Sequence, residues 1–223
     1  MPSPHIRLFL DTADVAQWQA WLPTGLFYGV TCNPLLLERA GVTCGPGSLK
    51  ALSQQAFELG AKEVHLQAWG ESASALLRIG QLLGGNDPRI IVKLPATQMG
   101  TTAANSLIQG GIPVTLTAVY TVHQALIAAA IGASYAAPYL GRINDAGNDG
   151  RQEIATMQQV LNGVQSNTRL LTASIRDITD ISALSAQGVD TFTFSPAIAQ
   201  AFFNVPETLA ATADFERAAK AMA

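Results

Sequence analysis

Lys93 is the residue of this sequence whose setting asks most directly for a chemical explanation. Of the lysines, Lys50, Lys62 and Lys220 fall in stretches with helical spacing. Lys93 stands inside IIVKLPA (90–96), among branched apolar residues. A lysine is seldom fully buried unless it is paired or used. Taking an ammonium out of water favours the neutral amine, the form that attacks a carbonyl carbon to make a Schiff base. The competing reading is a lysine on an open sheet edge that blocks strand-to-strand association. A closed barrel has no such edge, so the choice depends on the fold.

Other polar residues stand at the ends of apolar runs. Asp11 ends IRLFLDT (6–12), where a carboxylate can shuttle protons or hold a hydroxyl. It could equally cap the helix that follows, a task also open to Thr12 and Asp14. Thr31 and Asn33 lie in GVTCNP, a segment suited either to hydrogen-bonding a substrate oxygen or, through Asn-Pro, to opening a turn. Arg142 and the pair Ser174 and Arg176 follow later runs, and guanidinium and hydroxyl donors at such places suit a phosphate. Single arginines are more commonly plain surface residues. Gln67, Thr117 and Tyr139 also fall near run ends. They read as core, or as groups that position a water for proton transfer.

These positions make sense only if the runs are neighbouring strands. The apolar runs are 6–12, 27–33, 63–69, 90–96, 113–120, 134–141, 169–175 and 191–196. Between them lie Ala-, Leu- and Gln-rich stretches with helical spacing, such as AANSLIQGG and TVHQALIAAAIG. Gly60, Gly110, Gly132 and Gly188 stand where such helices would stop. Strands alternating with helices imply a parallel sheet covered on both faces. Eight such units predict an α/β fold, a single (β/α)8 (TIM) barrel domain spanning 1–223. The chain's 223 residues fit that fold's span of about 200 to over 400. An open doubly wound sheet is the runner-up, but no GxGxxG or GxxxxGK[ST] follows the first run. Residues 207–222 predict an additional C-terminal amphipathic helix, either packed on the barrel or in contact with another subunit.

Composition narrows the partners. The sequence is 48% hydrophobic and 13% charged, with net charge -3, and its basic residues do not cluster. That argues against nucleic acid and anionic membrane as partners. Cys32 and Cys44 are too few for a disulfide scaffold, and no zinc spacing links them with His5, His65 and His123. No metal site is expected. No apolar run reaches the length of a membrane span and the start has no signal-peptide pattern. A cytoplasmic protein is the expectation.

Taken in order, FLDTADV, GVTCNP, IIVKLPAT, GIPVTLTAVYT, GASYAAPYLGRI and LLTASIRD resemble the transaldolase and fructose-6-phosphate aldolase family over most of the chain. Each fragment alone is weak, and their order and spacing are specific. The resemblance implies a (β/α) barrel with no cofactor, usually homo-oligomeric in the small-chain branch as a pentamer or decamer. It implies sugar-phosphate substrates. Lys93 resembles the Schiff-base lysine, Asp11 the proton-transferring acid, and Asn33 the amide that binds the dihydroxyacetone unit. Thr117 resembles the residue that helps hold a catalytic water. Arg142, Ser174 and Arg176 resemble the phosphate site.

The same resemblance separates two activities. Transaldolases usually carry Glu, Ser and Phe where this chain has Gln67, Ala137 and Tyr139, whereas the aldolase branch carries these three residue types. Arg176 resembles the transaldolase form. Leu35 departs from the Ser common to both. The implied enzyme cleaves fructose 6-phosphate or sedoheptulose 7-phosphate. It then transfers the dihydroxyacetone unit to an aldose phosphate, as in the pentose phosphate pathway, or releases it. The alternatives are a sugar-phosphate-binding barrel without catalysis, and another lysine aldolase such as one acting on deoxyribose phosphate.

Overall fold

The eight apolar runs form eight strands, and in this computed structural model, which describes residues 6–85 and 87–222, all eight join one closed parallel barrel in sequence order. His5 lies outside the described residues. The strands are β1 (Arg7–Asp11), β2 (Gly29–Thr31), β3 (Glu63–Gln67), β4 (Ile90–Pro95), β5 (Val114–Val119), β6 (Tyr135–Pro138), β7 (Arg169–Thr172) and β8 (Thr191–Phe194). β8 pairs with β1 through Arg7↔Thr191 to Leu10↔Phe194, which closes the ring. With helices between the strands this is a (β/α)8 barrel.

The helices are α1 (Val15–Trp21), α2 (Pro34–Arg39), α3 (Pro46–Glu58), α4 (Ala73–Gly84), α5 (Gln98–Gln109), α6 (Val122–Ala130), α7 (Leu140–Asp145), α8 (Gly150–Gly163), α9 (Ile178–Ser185), α10 (Pro196–Ala201) and α11 (Pro206–Met222). Side chains at alternate strand positions face opposite ways. One set, with Leu10, Leu66, Leu94 and Leu116, packs against Trp18, Leu107 and other helix residues. The other set, with Phe9, Ile91, Tyr135 and Leu171, fills the barrel interior.

The N-terminal end of the barrel is filled by a polar network. Arg7 donates to Glu63 at 3.0 Å and also to the Tyr135 hydroxyl, which in turn donates to Glu63 at 2.6 Å. His65 sits above them, 3.0 Å from the Thr115 hydroxyl and 3.4 Å from Glu63. Its ring meets those of Phe9 and Tyr135 edge-on. Burial holds the His65 imidazole below its ordinary value, against the opposing pull of Glu63. Burial pushes Glu63 up, but the bonds from His65 and Tyr135 outweigh it and leave the carboxyl below its ordinary range.

The strands are shorter than the apolar runs at several ends. The sixth run continues to 141, yet β6 stops at Pro138. Leu140 and Gly141 begin α7 instead, because their N–H groups donate to the Ala173 and Ser174 carbonyls at 3.0 Å. The C-terminal helix is present as α11, and none of its residues is buried. Packing on its own barrel is therefore not what α11 does. Among the described residues no helix is long and apolar enough to cross a membrane.

Candidate active site

β4 places Lys93 in register with Gln67 on β3 and Thr115 on β5. Its residue is 5% exposed. Its Nζ donates to the Cys32 carbonyl at 3.3 Å, and among the described residues no carboxylate lies within ion-pair distance of it. Closure of the barrel removes the edge-strand reading. A buried amine without a counter-ion is expensive as a structural element and useful as a nucleophile. The nearby Cys32 thiol is pushed up to about 12 by burial, with Lys93 pulling the other way. It stays protonated and does not compete as a nucleophile.

Asp11 ends β1 but does not cap α1. Asp14 does, accepting from the Ala16 N–H at 2.9 Å. Asp11 instead accepts from the Thr31 hydroxyl at 2.6 Å, and Thr31 lies 2.6 Å from the Thr193 hydroxyl. Thr31 has one hydroxyl hydrogen and spends it on Asp11, so Thr193 donates to Thr31. Asn33 opens the turn into α2. Its Oδ1 caps α2 by accepting from the Leu35 and Leu36 N–H groups at 3.0 and 3.1 Å. Its amide nitrogen is not used by that cap.

On the opposite wall, a register shift between Thr117 and Val119 interrupts the β5–β6 ladder, with Ala118 at φ 58°. Such a bulge re-aims side chains, and here the Thr117 and Tyr139 hydroxyls lie 2.7 Å apart. Gln67 donates from Nε2 to the Ala68 and Lys93 carbonyls, both at 3.3 Å. The Arg142 guanidinium lies over the Tyr139 ring, 5.0 Å from its centroid. Ser174 has the left-handed φ of 59°, a strained conformation for a residue with a side chain. Gly141 accommodates it, since a Cβ there would lie 2.6 Å from the Ser174 carbonyl oxygen.

A cavity of about 180 Å³ opens among these groups. Asp11, Asn33, Lys93, Tyr139, Arg142 and Ser174 line it. Thr31 and Thr117 support two of them by hydrogen bonds, and Gln67 is tied to the Lys93 backbone. Arg176 is not on the cavity wall: its guanidinium is engaged by Asp145 at 2.7 and 2.5 Å. A larger groove of about 570 Å³, between the ends of α6 and α8, carries no ionisable side chain. Among the described residues no group of His, Cys, Asp and Glu converges to hold a metal.

A family model described as transaldolase/fructose-6-phosphate aldolase matches residues 8–223. The chain belongs to this family. A probable transaldolase from Phenylobacterium zucineum is 32% identical over 203 residues, covering 91% of each chain. One from Herpetosiphon aurantiacus is 34% identical over 191 residues, covering 85% of this chain and 84% of that one. Among solved structures, a thiamine phosphate pyrophosphorylase from Pyrococcus furiosus superposes with a TM-score of 0.61 at 14% identity, over 86% of both chains. A muconate lactonizing enzyme from Pseudomonas putida does so at 0.56 and 18%, over 82% of this chain and 50% of that one. These two likenesses concern the fold alone. The family and its named relatives point to a transaldolase-type enzyme.

Within this transaldolase/aldolase family member, sequence reasoning missed Thr193, Arg39 and Leu36, and named Leu35 only as a departure from the family's Ser; all four are on the cavity wall. Thr193 had a signal in the alternation of TFTF, which turns Thr191 and Thr193 to one face of β8. Leu35 and Leu36 lie four and three residues before Arg39 on α2, so each neighbours Arg39 on the helix surface.

Proposed function

We propose that this chain is a lysine Schiff-base enzyme that takes a dihydroxyacetone unit from a ketose phosphate and passes it to an aldose phosphate. Release of free dihydroxyacetone is the competing outcome. The observation that carries the reading is Lys93, buried without a counter-ion in the same cavity wall as Asp11 and Asn33. A protein that only binds sugar phosphates gains nothing from such an amine.

The Lys93 amine adds to the C2 carbonyl of fructose 6-phosphate or sedoheptulose 7-phosphate. Loss of water leaves an iminium ion. Asp11 takes the proton of the C4 hydroxyl as the C3–C4 bond breaks, and the bonding electrons move into the iminium to give an enamine. The former C4 departs as the aldehyde of an aldose phosphate. Asn33 holds a hydroxyl of the retained unit through its free amide nitrogen, and Thr31 keeps Asp11 oriented. Arg142 and Ser174 receive the phosphate, with Arg176 at the rim.

The enamine carbon then attacks the aldehyde of an acceptor, whose new alkoxide recovers a proton from Asp11, and water hydrolyses the resulting iminium to release the new ketose phosphate and the free amine. Alternatively, that carbon takes a proton from a water held by Tyr139, Thr117 and Gln67, and the hydroxide left behind takes back the proton that Asp11 holds. A second water then hydrolyses the iminium, releasing dihydroxyacetone and the free amine. The Thr117–Tyr139 bond favours this second route being competent beside the first. α11 exposes Leu209, Phe215 and Met222, and this reading assigns it to contact between subunits of a homo-oligomer.

Borohydride reduction in the presence of fructose 6-phosphate tests the reading. A covalent adduct that maps to Lys93 is expected, with sedoheptulose 7-phosphate formed when erythrose 4-phosphate is added. No adduct, or unchanged turnover in Lys93→Ala, overturns it. Turnover of deoxyribose phosphate but not of fructose 6-phosphate would instead assign the lysine to another aldolase reaction.

A further inference from the structure

We infer that Arg39 is a second anion-binding residue of this site, holding the substrate phosphate from the α2 side while Arg142 holds it from the α7 side. The inference rests on the sugar-phosphate reading above and names the residue that makes it selective for phosphorylated sugars. Nothing in the resemblance of the sequence assigns Arg39 a role.

Charge pairing gives the first argument. Arg7, Arg89, Arg151, Arg169, Arg176 and Arg217 each form an ion pair with a carboxylate. Arg39, Arg78 and Arg142 form none among the described residues, and two of these three line the cavity of Lys93. The cavity wall carries two guanidinium groups, Arg39 and Arg142, against a single carboxylate, Asp11, which is already bonded to Thr31. A concave site with an excess of fixed positive charge attracts an anion and concentrates it.

The second argument is placement. Asn33 caps α2 and Pro34 begins it, so the start of this short helix is fixed beside the reacting groups. Arg39 ends the same helix, with Leu35 and Leu36 one turn before it, and all three face the cavity. Arg39 is thus aimed by the same cap that fixes Asn33. The third argument is the commitment of Arg176, whose planar fork is matched by both oxygens of Asp145. A phosphate dianion has three oxygens and is met best by forked donors from two sides. With Arg176 occupied, Arg39 supplies the second fork.

The variants Arg39→Gln and Arg39→Lys test this on the full-length protein. Arg39 is exposed, so neither change disturbs the core. In Arg39→Gln, the preference for fructose 6-phosphate over unphosphorylated fructose, as a ratio of kcat/KM, should fall about 10- to 100-fold, mainly through KM. Arg39→Lys should fall between it and the parent. Calorimetric titration with inorganic phosphate needs no turnover. It should show binding weakened about tenfold or more by Arg39→Gln and by Arg142→Gln alike. An unchanged preference together with unchanged phosphate binding in Arg39→Gln overturns the inference. Failure of the Schiff-base reading would appear separately, as a parent protein that borohydride does not label, and the phosphate titration would then decide the role of Arg39 alone.

Discussion

The Tyr139 and Thr117 hydroxyls meet at 2.7 Å across the one place where the β5–β6 register shifts. The bulge at Ala118 brings a side chain of β5 to a residue beyond the end of β6. Neither hydroxyl can be moved without the other, and only Tyr139 reaches the cavity wall.

Removing the Tyr139 hydroxyl should therefore change the fate of the enamine more than its formation. In Tyr139→Phe, the ratio of free dihydroxyacetone to sedoheptulose 7-phosphate should fall about tenfold with fructose 6-phosphate and erythrose 4-phosphate present. Product analysis by chromatography reads the ratio. A ratio equal to that of the parent would remove Tyr139 from proton delivery.

Lys93 should set function against stability. Lys93→Met removes the nucleophile, and kcat/KM should drop by about 10,000-fold or more. The same change fills a buried position with an apolar chain and removes an amine that has no counter-ion. Unfolding free energy in urea should rise by about 1–2 kcal/mol. A less stable Lys93→Met protein would mean that the amine is structural.

Gly141 packs against both the Ser174 turn and the Arg176 side chain. In Gly141→Ala the new methyl would sit 2.6 Å from the Ser174 carbonyl oxygen and 2.7 Å from Arg176 Nε. Stability should fall by about 1–3 kcal/mol, the usual cost of overpacking. KM for fructose 6-phosphate should rise with it, because Ser174 must shift. A variant with unchanged melting temperature and KM would show that the turn yields freely.

Acid should weaken the barrel through His65. Its imidazole is held below the ordinary value of 6.5 in the folded protein, first by burial. The unfolded chain thus binds its proton first as the pH falls, and folding stability declines from about pH 6.5 downward. Each pH unit costs up to about 1.4 kcal/mol until the folded-state value is passed. Glu63, held low in the folded protein, adds a second loss below about 4.5. In His65→Gln the first decline should vanish and the second should shrink, because His65 is the first of the partners that hold Glu63 low, as read from urea midpoints at pH 7.5, 5.5 and 4. An unchanged slope between pH 7.5 and 5.5 would acquit His65.

The barrel was legible because its strands and helices differ in apolar pattern, and Lys93 was legible as a charged residue that breaks that pattern. What the sequence did not reveal depends on contacts between distant segments. The sixth run looks continuous through Gly141, but the carbonyls of Ala173 and Ser174 draw Leu140 and Gly141 into α7. Arg176 sits beside Ser174 in sequence, yet a carboxylate 31 residues away takes its guanidinium. Arg39 resembles any solvated arginine at a helix end until the cap of α2 is seen to aim it. For α11 the sequence allowed packing or contact, since an apolar stripe looks the same in both; its full exposure speaks against packing on its own barrel.

The row Thr193–Thr31–Asp11 crosses the seam where β8 meets β1 and has a sense, like an arrow pointing at the carboxylate. A proton captured by Asp11 turns the carboxylate into a donor and frees Thr31 to point the other way. Thr193 then no longer needs to give its hydrogen to Thr31, and that hydrogen becomes available to the cavity. An event on β1 would be announced on the adjoining β8 without any charge crossing the gap. If Asp11 is the acid proposed above, the barrel's closing seam would carry a record of whether it holds its proton.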